Sequence, residues 1–200
     1  MNANEAISHY SQLVAETRAQ RGSREPRWLE QRRTSALASF AATGFPTRKQ
    51  EGWRYTSLDK LLTQTFATPG EPVYGVSQKI ISSLRTIDVE ALRLVFCDGR
   101  LVESLSDINN LPDGIVVGRL RDRLASPSKQ VSEQLDRLFA NDNEAFDYIN
   151  TTLAEDGLWL EVEANVSLER PIEVIHTSQQ RDMGLLLVPR NLVIMHPGAQ

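Results

Sequence analysis

The amino-acid sequence predicts an α+β fold, with a helical N-terminal domain over residues 1–155 that includes a small hairpin, and a strand-bearing domain over residues 156–200. Three observations carry this. Apolar residues recur at helical spacing through residues 6–42 and again through 131–153. The dipeptide Asp98-Gly99 joins two apolar runs with residues suited to a hairpin turn. After Gly157 the apolar period changes from helical to alternating.

Over residues 6–21, Ile7, Tyr10, Leu13, Val14 and Ala19 define one amphipathic helix, which Gly22 ends. Ser23 and Glu25 are capping groups ahead of Pro26, whose fixed φ suits a helix's first turn. The second helix runs to about Ala42 with Leu29, Ala36, Leu37 and Phe40 on one face, and Gly44 with Pro46 stops it. The short link predicts an antiparallel pair. Thr56 or Ser57 caps a short helix through Leu58, Leu61 and Leu62, and Thr68-Pro69-Gly70-Glu71-Pro72 reads as a linker.

The apolar run at 92–96 turns at Asp98-Gly99 and returns through Leu101 and Val102, and residues 114–117 form another short strand. Ser128 caps a helix lined by Val131, Leu135, Leu138 and Phe139, and Asn141 or Asp142 caps one bearing Phe146, Ile149 and Leu153. Beyond Gly157, Leu158, Leu160 and Val162 alternate with Trp159, Glu161 and Glu163, Ile172 and Val174 alternate with Glu173 and Ile175, and a third apolar run at 185–195 is broken by Pro189. The last strand is left with an unpaired edge, which predicts self-association and an N-terminal piece of a longer protein.

Composition narrows the chemistry. No window approaches the roughly 18 uncharged apolar residues of a membrane span, and the N-terminus lacks a signal-peptide pattern, so the expectation is a cytoplasmic protein with no membrane contact. Residues 1–60 hold ten Lys and Arg against six Asp and Glu, whereas residues 61–200 hold twelve against twenty. Arg18, Arg21, Arg24, Arg27, Arg32 and Arg33 interleave with Glu16, Glu25 and Glu30, which reads as a solvated mixed-charge face and argues against nucleic acid. No phosphate loop, dinucleotide-binding turn, zinc-protease helix or nucleophile elbow occurs, so no enzymatic activity is expected.

Cys97 is the single cysteine and reads as a packing residue at a strand end. His176 and His196 fall at strand ends and His9 stands alone on a helix, too few ligands for a metal. Glu155-Asp156 and Glu161 with Glu163 read as solvated carboxylates rather than acid–base pairs. No catalytic, cofactor-binding or metal-ligating residue is assigned. The densest polar and aromatic cluster is Pro46-Thr47-Arg48-Lys49-Gln50-Glu51-Gly52-Trp53-Arg54-Tyr55-Thr56. Arg48, Trp53, Arg54 and Tyr55 read first as an aromatic plug with cations on its rings, and second as a docking loop.

Gly44-Phe45-Pro46-Thr47-Arg48-Lys49 followed by Glu51-Gly52-Trp53-Arg54-Tyr55-Thr56 resembles the N-terminal signature of the SufD family, components of the SufBCD iron–sulfur cluster assembly complex. Leu92 to Gly99 is similar to the family's hairpin, with Cys97 where an aliphatic residue is common. Residues 142–176, with Glu155-Asp156-Gly157 and Leu168-Glu169-Arg170-Pro171-Ile172-Glu173-Val174, resemble the entry to the β-helix shared by SufB and SufD. The resemblance implies that residues 156–200 begin a right-handed parallel β-helix, cut short here. It also implies a non-catalytic scaffold role with SufB as partner and SufC as the ATPase, and an iron–sulfur cluster only in the assembled complex. Two readings compete with it. One is a non-enzymatic docking module built on the Arg48, Trp53 and Tyr55 loop; the other, a left-handed β-helix acyltransferase, lacks its hexapeptide period over residues 158–195.

Overall fold

A computed structural model describes residues 3–21, 25–69, 78–84, 90–109, 111–125, 129–137, 144–179 and 182–200. The expected break at Gly22, the caps Ser23, Ser128, Asn141 and Asp142, the linker from Gly70, and the helix positions Leu138 and Phe139 lie outside them. The elements are α1 (Ala3–Arg21), α2 (Arg27–Thr43), α3 (Asp59–Leu62), β1 (Phe66–Ala67), α4 (Gln78–Ser83), β2 (Leu92–Cys97), β3 (Arg100–Leu101), β4 (Ile115–Arg119), α5 (Leu120–Ala125), α6 (Lys129–Arg137), α7 (Ala145–Leu153), β5 (Leu158–Val162), β6 (Ile172–Thr177), β7 (Gly184–Leu185) and β8 (Leu192–Met195). They form two compact units whose segments alternate along the chain.

The first unit comprises Met1–Thr68, Leu124–Ala154 and Arg181–Val188. In α1 the helical period places Ala6, Tyr10, Leu13 and Val14 inside, and buried Thr17 donates its hydroxyl to the Leu13 carbonyl at 2.8 Å. Helix α2 begins after Pro26, whose carbonyl accepts from the Leu29 and Glu30 amides. It ends at Gly44, where φ is 64° and an added Cβ would lie 3.1 Å from Ile7 Cδ1, so glycine suits both the turn and the packing. The sequence predicts an antiparallel pair of α1 and α2; the two helices are in contact, and α2 packs more extensively against α7. Phe40 of α2 joins Ala145, Ile149 and Leu153 of α7 in one buried cluster, and Arg33 adds hydrogen bonds to carbonyls at the end of α7. Tyr10, Phe40 and Phe45 pack edge to face, with ring centroids 5.1 Å apart for Tyr10–Phe45 and Phe40–Phe45. Strands β1 and β7 add a short parallel pair.

The second unit comprises Pro69–Arg123, Glu155–Gln180 and Pro189–Gln200. It holds two three-stranded sheets, ordered β3-β2-β6 and β4-β5-β8. Strand β2 pairs antiparallel with β3 through a turn in which Asp98 (φ 49°) and Gly99 (φ 79°) both take positive φ, as a type I′ turn requires. Its other edge pairs in parallel with β6, from Leu92 opposite Ile172 to Cys97 opposite Thr177. Leu94 and Phe96 enter a cluster with Leu101, Ile115, Leu158, Leu160 and Val162, while Val95 and Cys97 enter another with Ile81, Val102 and Ile175. Burial of β2 on both faces explains its nearly unbroken apolar run. It also places Cys97 in apolar packing, as its sequence position implies.

Strand β5 pairs antiparallel with β4 and parallel with β8, which leaves β8 at a sheet edge with Val193 and Met195 exposed. At Gly157 an added Cβ would stand 1.8 Å from the Arg190 carbonyl oxygen, so the two chain segments approach this closely only because residue 157 has no side chain. The α+β class and the N-terminal helices stand. The strands, however, form small sheets with no β-helix among the described residues, because β2 and β4 recruit β6 and β5 as partners.

Candidate functional site

Residues 44–57 leave α2 as a chain of tight turns. Amides of Gln50, Trp53, Arg54 and Thr56 bond the carbonyls of Thr47, Gln50, Glu51 and Trp53 at 2.9–3.2 Å. The segment divides its aromatic residues between inside and outside. Phe45 is buried and reaches Phe146 at 5.8 Å between centroids, and half-buried Trp53 packs on the same ring at 5.5 Å and 32°. The Trp53 indole N–H donates to Glu144 Oε2 at 3.1 Å, which fixes the ring's orientation. The residue that fills the core here is therefore Phe45, with Trp53 packed over Phe146.

Tyr55 points the other way and is 88% exposed. Arg48 and Arg54 are also exposed. Arg48 Nε donates to the Arg54 carbonyl at 3.3 Å, and the Arg54 guanidinium carbon stands 5.7 Å from the Tyr55 ring centre. The structure thus brings Arg48, Arg54 and Tyr55 together on the surface and separates them from the inward-packed Trp53.

Three polar centres were not legible as such. Arg33, read as part of a solvated face, is 7% exposed. Its Nη1 donates to the Thr151 and Thr152 carbonyls at 2.9 Å and its Nη2 to the Ala154 carbonyl at 2.6 Å, while its Nε lies 3.0 Å from Glu25. A cation at a helix C-terminus is favourable, and the carbonyls there have no helical donors of their own. The available signal was spacing, since Arg33 sits four residues from both Leu29 and Leu37 on the apolar face. Asp156, expected to be solvated, is buried. It accepts from Arg119 Nε at 2.9 Å and from the Arg121 and Gly157 amides, so it organises the turn into β5. Arg93 and Glu173 pair across β2 and β6 at 3.2 Å.

The histidines have separate partners. His9 Nε2 accepts from the Phe66 amide at 3.2 Å, and His196 Nε2 meets Glu161 Oε1 at 2.8 Å. His176 stacks on Phe96 at 5.0 Å, and its partial burial pushes its pKa below the ordinary imidazole value. Burial also raises the Tyr10 pKa. Among the described residues, no three or more His, Cys, Asp or Glu side chains gather where they could hold a metal ion, and no helix is long and apolar enough to cross a membrane.

The family model of the SufBD protein N-terminal region matches residues 4–174, an interval that contains the 44–57 turn segment and the hairpin. The chain belongs to the SufBD family. It is 25% identical over 172 residues to the iron–sulfur cluster assembly SufBD family protein slr0076 of Synechocystis sp., a match covering 86% of this chain and 37% of that protein. It is 27% identical over 143 residues to the iron–sulfur cluster assembly protein SufD of Escherichia coli, covering 72% of this chain and 30% of that protein. The chain therefore spans about a third of the length of these curated SufBD relatives.

Proposed function

We propose that this chain is the N-terminal portion of a SufD-type subunit, a cytoplasmic, non-catalytic scaffold that assembles iron–sulfur clusters together with SufB and the SufC ATPase. The observation that carries this is the family match over residues 4–174 together with similarity to a protein named SufD. Motif order along the chain supports SufD over SufB, because Gly44-Phe45-Pro46-Thr47-Arg48 leads directly into Glu51-Gly52-Trp53-Arg54-Tyr55. The parallel pairing of β5 with β8 supports a start of the right-handed β-helix. In this reading the small sheet of β4, β5 and β8 is the entry to the family's β-helix rather than rungs of it, and the isolated chain self-associates along the edge of β8.

The chain itself holds no cluster and hydrolyses no ATP in this reading, because one buried thiol and three separated histidines are too few ligands in the wrong places. The test is affinity purification of the tagged protein from its own cells. SufB-type and SufC-type subunits co-purify if the reading is right. Co-purification with a separate SufD-type subunit would give the chain the SufB role instead, and recovery without either partner refutes the scaffold reading. Reconstitution of the purified chain with iron and sulfide yields no stable chromophore, and a stable one refutes the cofactor statement.

A further inference from the structure

We infer that the surface ridge formed by Arg48, Arg54 and Tyr55 docks an acidic peptide segment of a partner protein. The inference deepens the scaffold reading, on which it rests, by assigning a contact surface and the chemistry of what it contacts.

The first argument is exposure on a held framework. Tyr55 is 88% exposed, whereas the other exposed large apolar side chains among the described residues are 41–51% exposed. Its neighbours are fixed by overlapping turns, by Trp53 anchored on Phe146 and Glu144, and by the Arg48 bond to the Arg54 carbonyl. A ring presented this way loses little further freedom on binding.

The second argument is charge. Arg18, Arg33, Arg93, Arg119 and Arg170 each have a carboxylate partner, in Glu30, Glu25, Glu173, Asp156 and Glu90. Among the described residues, Arg48 and Arg54 have none; Arg27, Arg121 and Arg123 share this, but Arg48 and Arg54 are the two that stand with the exposed tyrosine. Lys49 and Lys60 add positive charge, while two nearby carboxylates are engaged, Asp59 by the Ser57 hydroxyl at 2.7 Å and Glu144 by Trp53. Glu51 is the remaining acidic side chain of the segment. A guanidinium beside a tyrosine ring keeps its N–H edge for bidentate pairing with a carboxylate, so the ridge offers both halves of a recognition element, charge and an apolar ledge. Polynucleotide is the poorer fit. One exposed ring gives no stacking series, and residues 61–200 carry eight more acidic than basic groups, which repels a long polyanion.

The test titrates the isotopically labelled chain with a synthetic peptide of alternating Glu and Phe and follows backbone amide resonances. Saturable shifts confined to residues 47–57, weakened by added salt, are expected. Tyr55→Ala, and separately the double variant Arg48→Glu with Arg54→Glu, should each weaken binding by about tenfold or more with an unchanged unfolding midpoint. Arg48→Lys with Arg54→Lys should keep part of the affinity. The proposal is overturned by shifts scattered over basic residues of the whole chain, or by a Tyr55→Ala variant that binds as well as the parent. Equal binding of an alternating Lys and Phe peptide, or of oligothymidylate of matched charge, overturns it too. Co-purification of Suf subunits is scored separately. Its loss with the peptide site intact refutes the scaffold reading alone, and its retention with no peptide binding refutes the docking site alone.

Discussion

Replacing Arg33 with Met keeps most of the side chain's apolar stem while removing the guanidinium from the end of α7. Three carbonyl acceptors, Thr151, Thr152 and Ala154, lose charged donors at 2.6–2.9 Å, and Glu25 loses its cation. Hydrogen bonds to charged groups contribute about 1.5–3 kcal/mol each, but three on one group are not additive. Breaking a buried ionic network by removing one partner costs about 3–5 kcal/mol, and that range includes the helix-end electrostatics. Glu25 limits the loss, since its side chain keeps 21% exposure and can hydrate. We therefore expect about 3–4 kcal/mol, a large fraction of a typical domain stability of about 5–15 kcal/mol. Urea unfolding followed by far-ultraviolet circular dichroism measures it, with the denaturant slope checked for constancy. Arg33→Lys should lose about half as much, because one ammonium cannot reach three diverging acceptors and Glu25 together. A loss under about 1 kcal/mol for Arg33→Met would refute the reasoning, by showing that water satisfies the α7 carbonyls at little cost.

Trp53→Ala should destabilise by about 2 kcal/mol, below the roughly 3–5 kcal/mol of a fully buried aromatic because the ring is half-exposed, and an unchanged urea midpoint would remove Trp53 from the packing of Phe146. Gly157→Ala should cost at least about 3 kcal/mol, since its Cβ falls 1.8 Å from the Arg190 carbonyl oxygen and either the β5 or the β8 end must move; near-parental stability would refute the close approach. His176 has a lowered folded-state pKa, so the unfolded chain binds its proton first as pH falls through about 6.5, and stability is lost on acidification and is unaffected above it. His176→Gln should flatten the unfolding midpoint between neutral and mildly acidic pH, and an identical acid slope would refute the linkage.

Features encoded in neighbouring residues were legible in the sequence. Asp98-Gly99 specifies its turn because two consecutive positive φ values exclude most residue pairs, and Gly44 specifies a helix stop for the same steric reason. The alternation after Gly157 located β5, and the lone cysteine next to a turn was correctly placed in apolar packing. Within the 46–56 cluster, the sequence did not show the division of labour between its aromatic residues. Trp53 and Tyr55 are separated by two positions and differ in fate because Phe146 and Glu144, some ninety residues on, are there to receive the indole.

That distance is the general reason for the remaining misses. Parallel pairing cannot be closed by a hairpin, so β2 finds β6 and β5 finds β8 across long connections, and periodicity carries no information about which strand lies alongside. The same holds for polar groups. Arg33 occupies an apolar face, and by composition alone an arginine there signals a broken pattern; it becomes intelligible only when the C-terminal carbonyls of α7 are recognised as acceptors that some donor must satisfy. Asp156 repeats the logic at the start of β5, where its carboxylate gathers the Arg121 and Gly157 amides and the Arg119 guanidinium. Arg48 and Arg54 stand apart from these two because no carboxylate within the described residues pairs with them and Arg48 has only the Arg54 carbonyl as acceptor, and a guanidinium left exposed beside an exposed tyrosine is what a surface kept for another molecule requires.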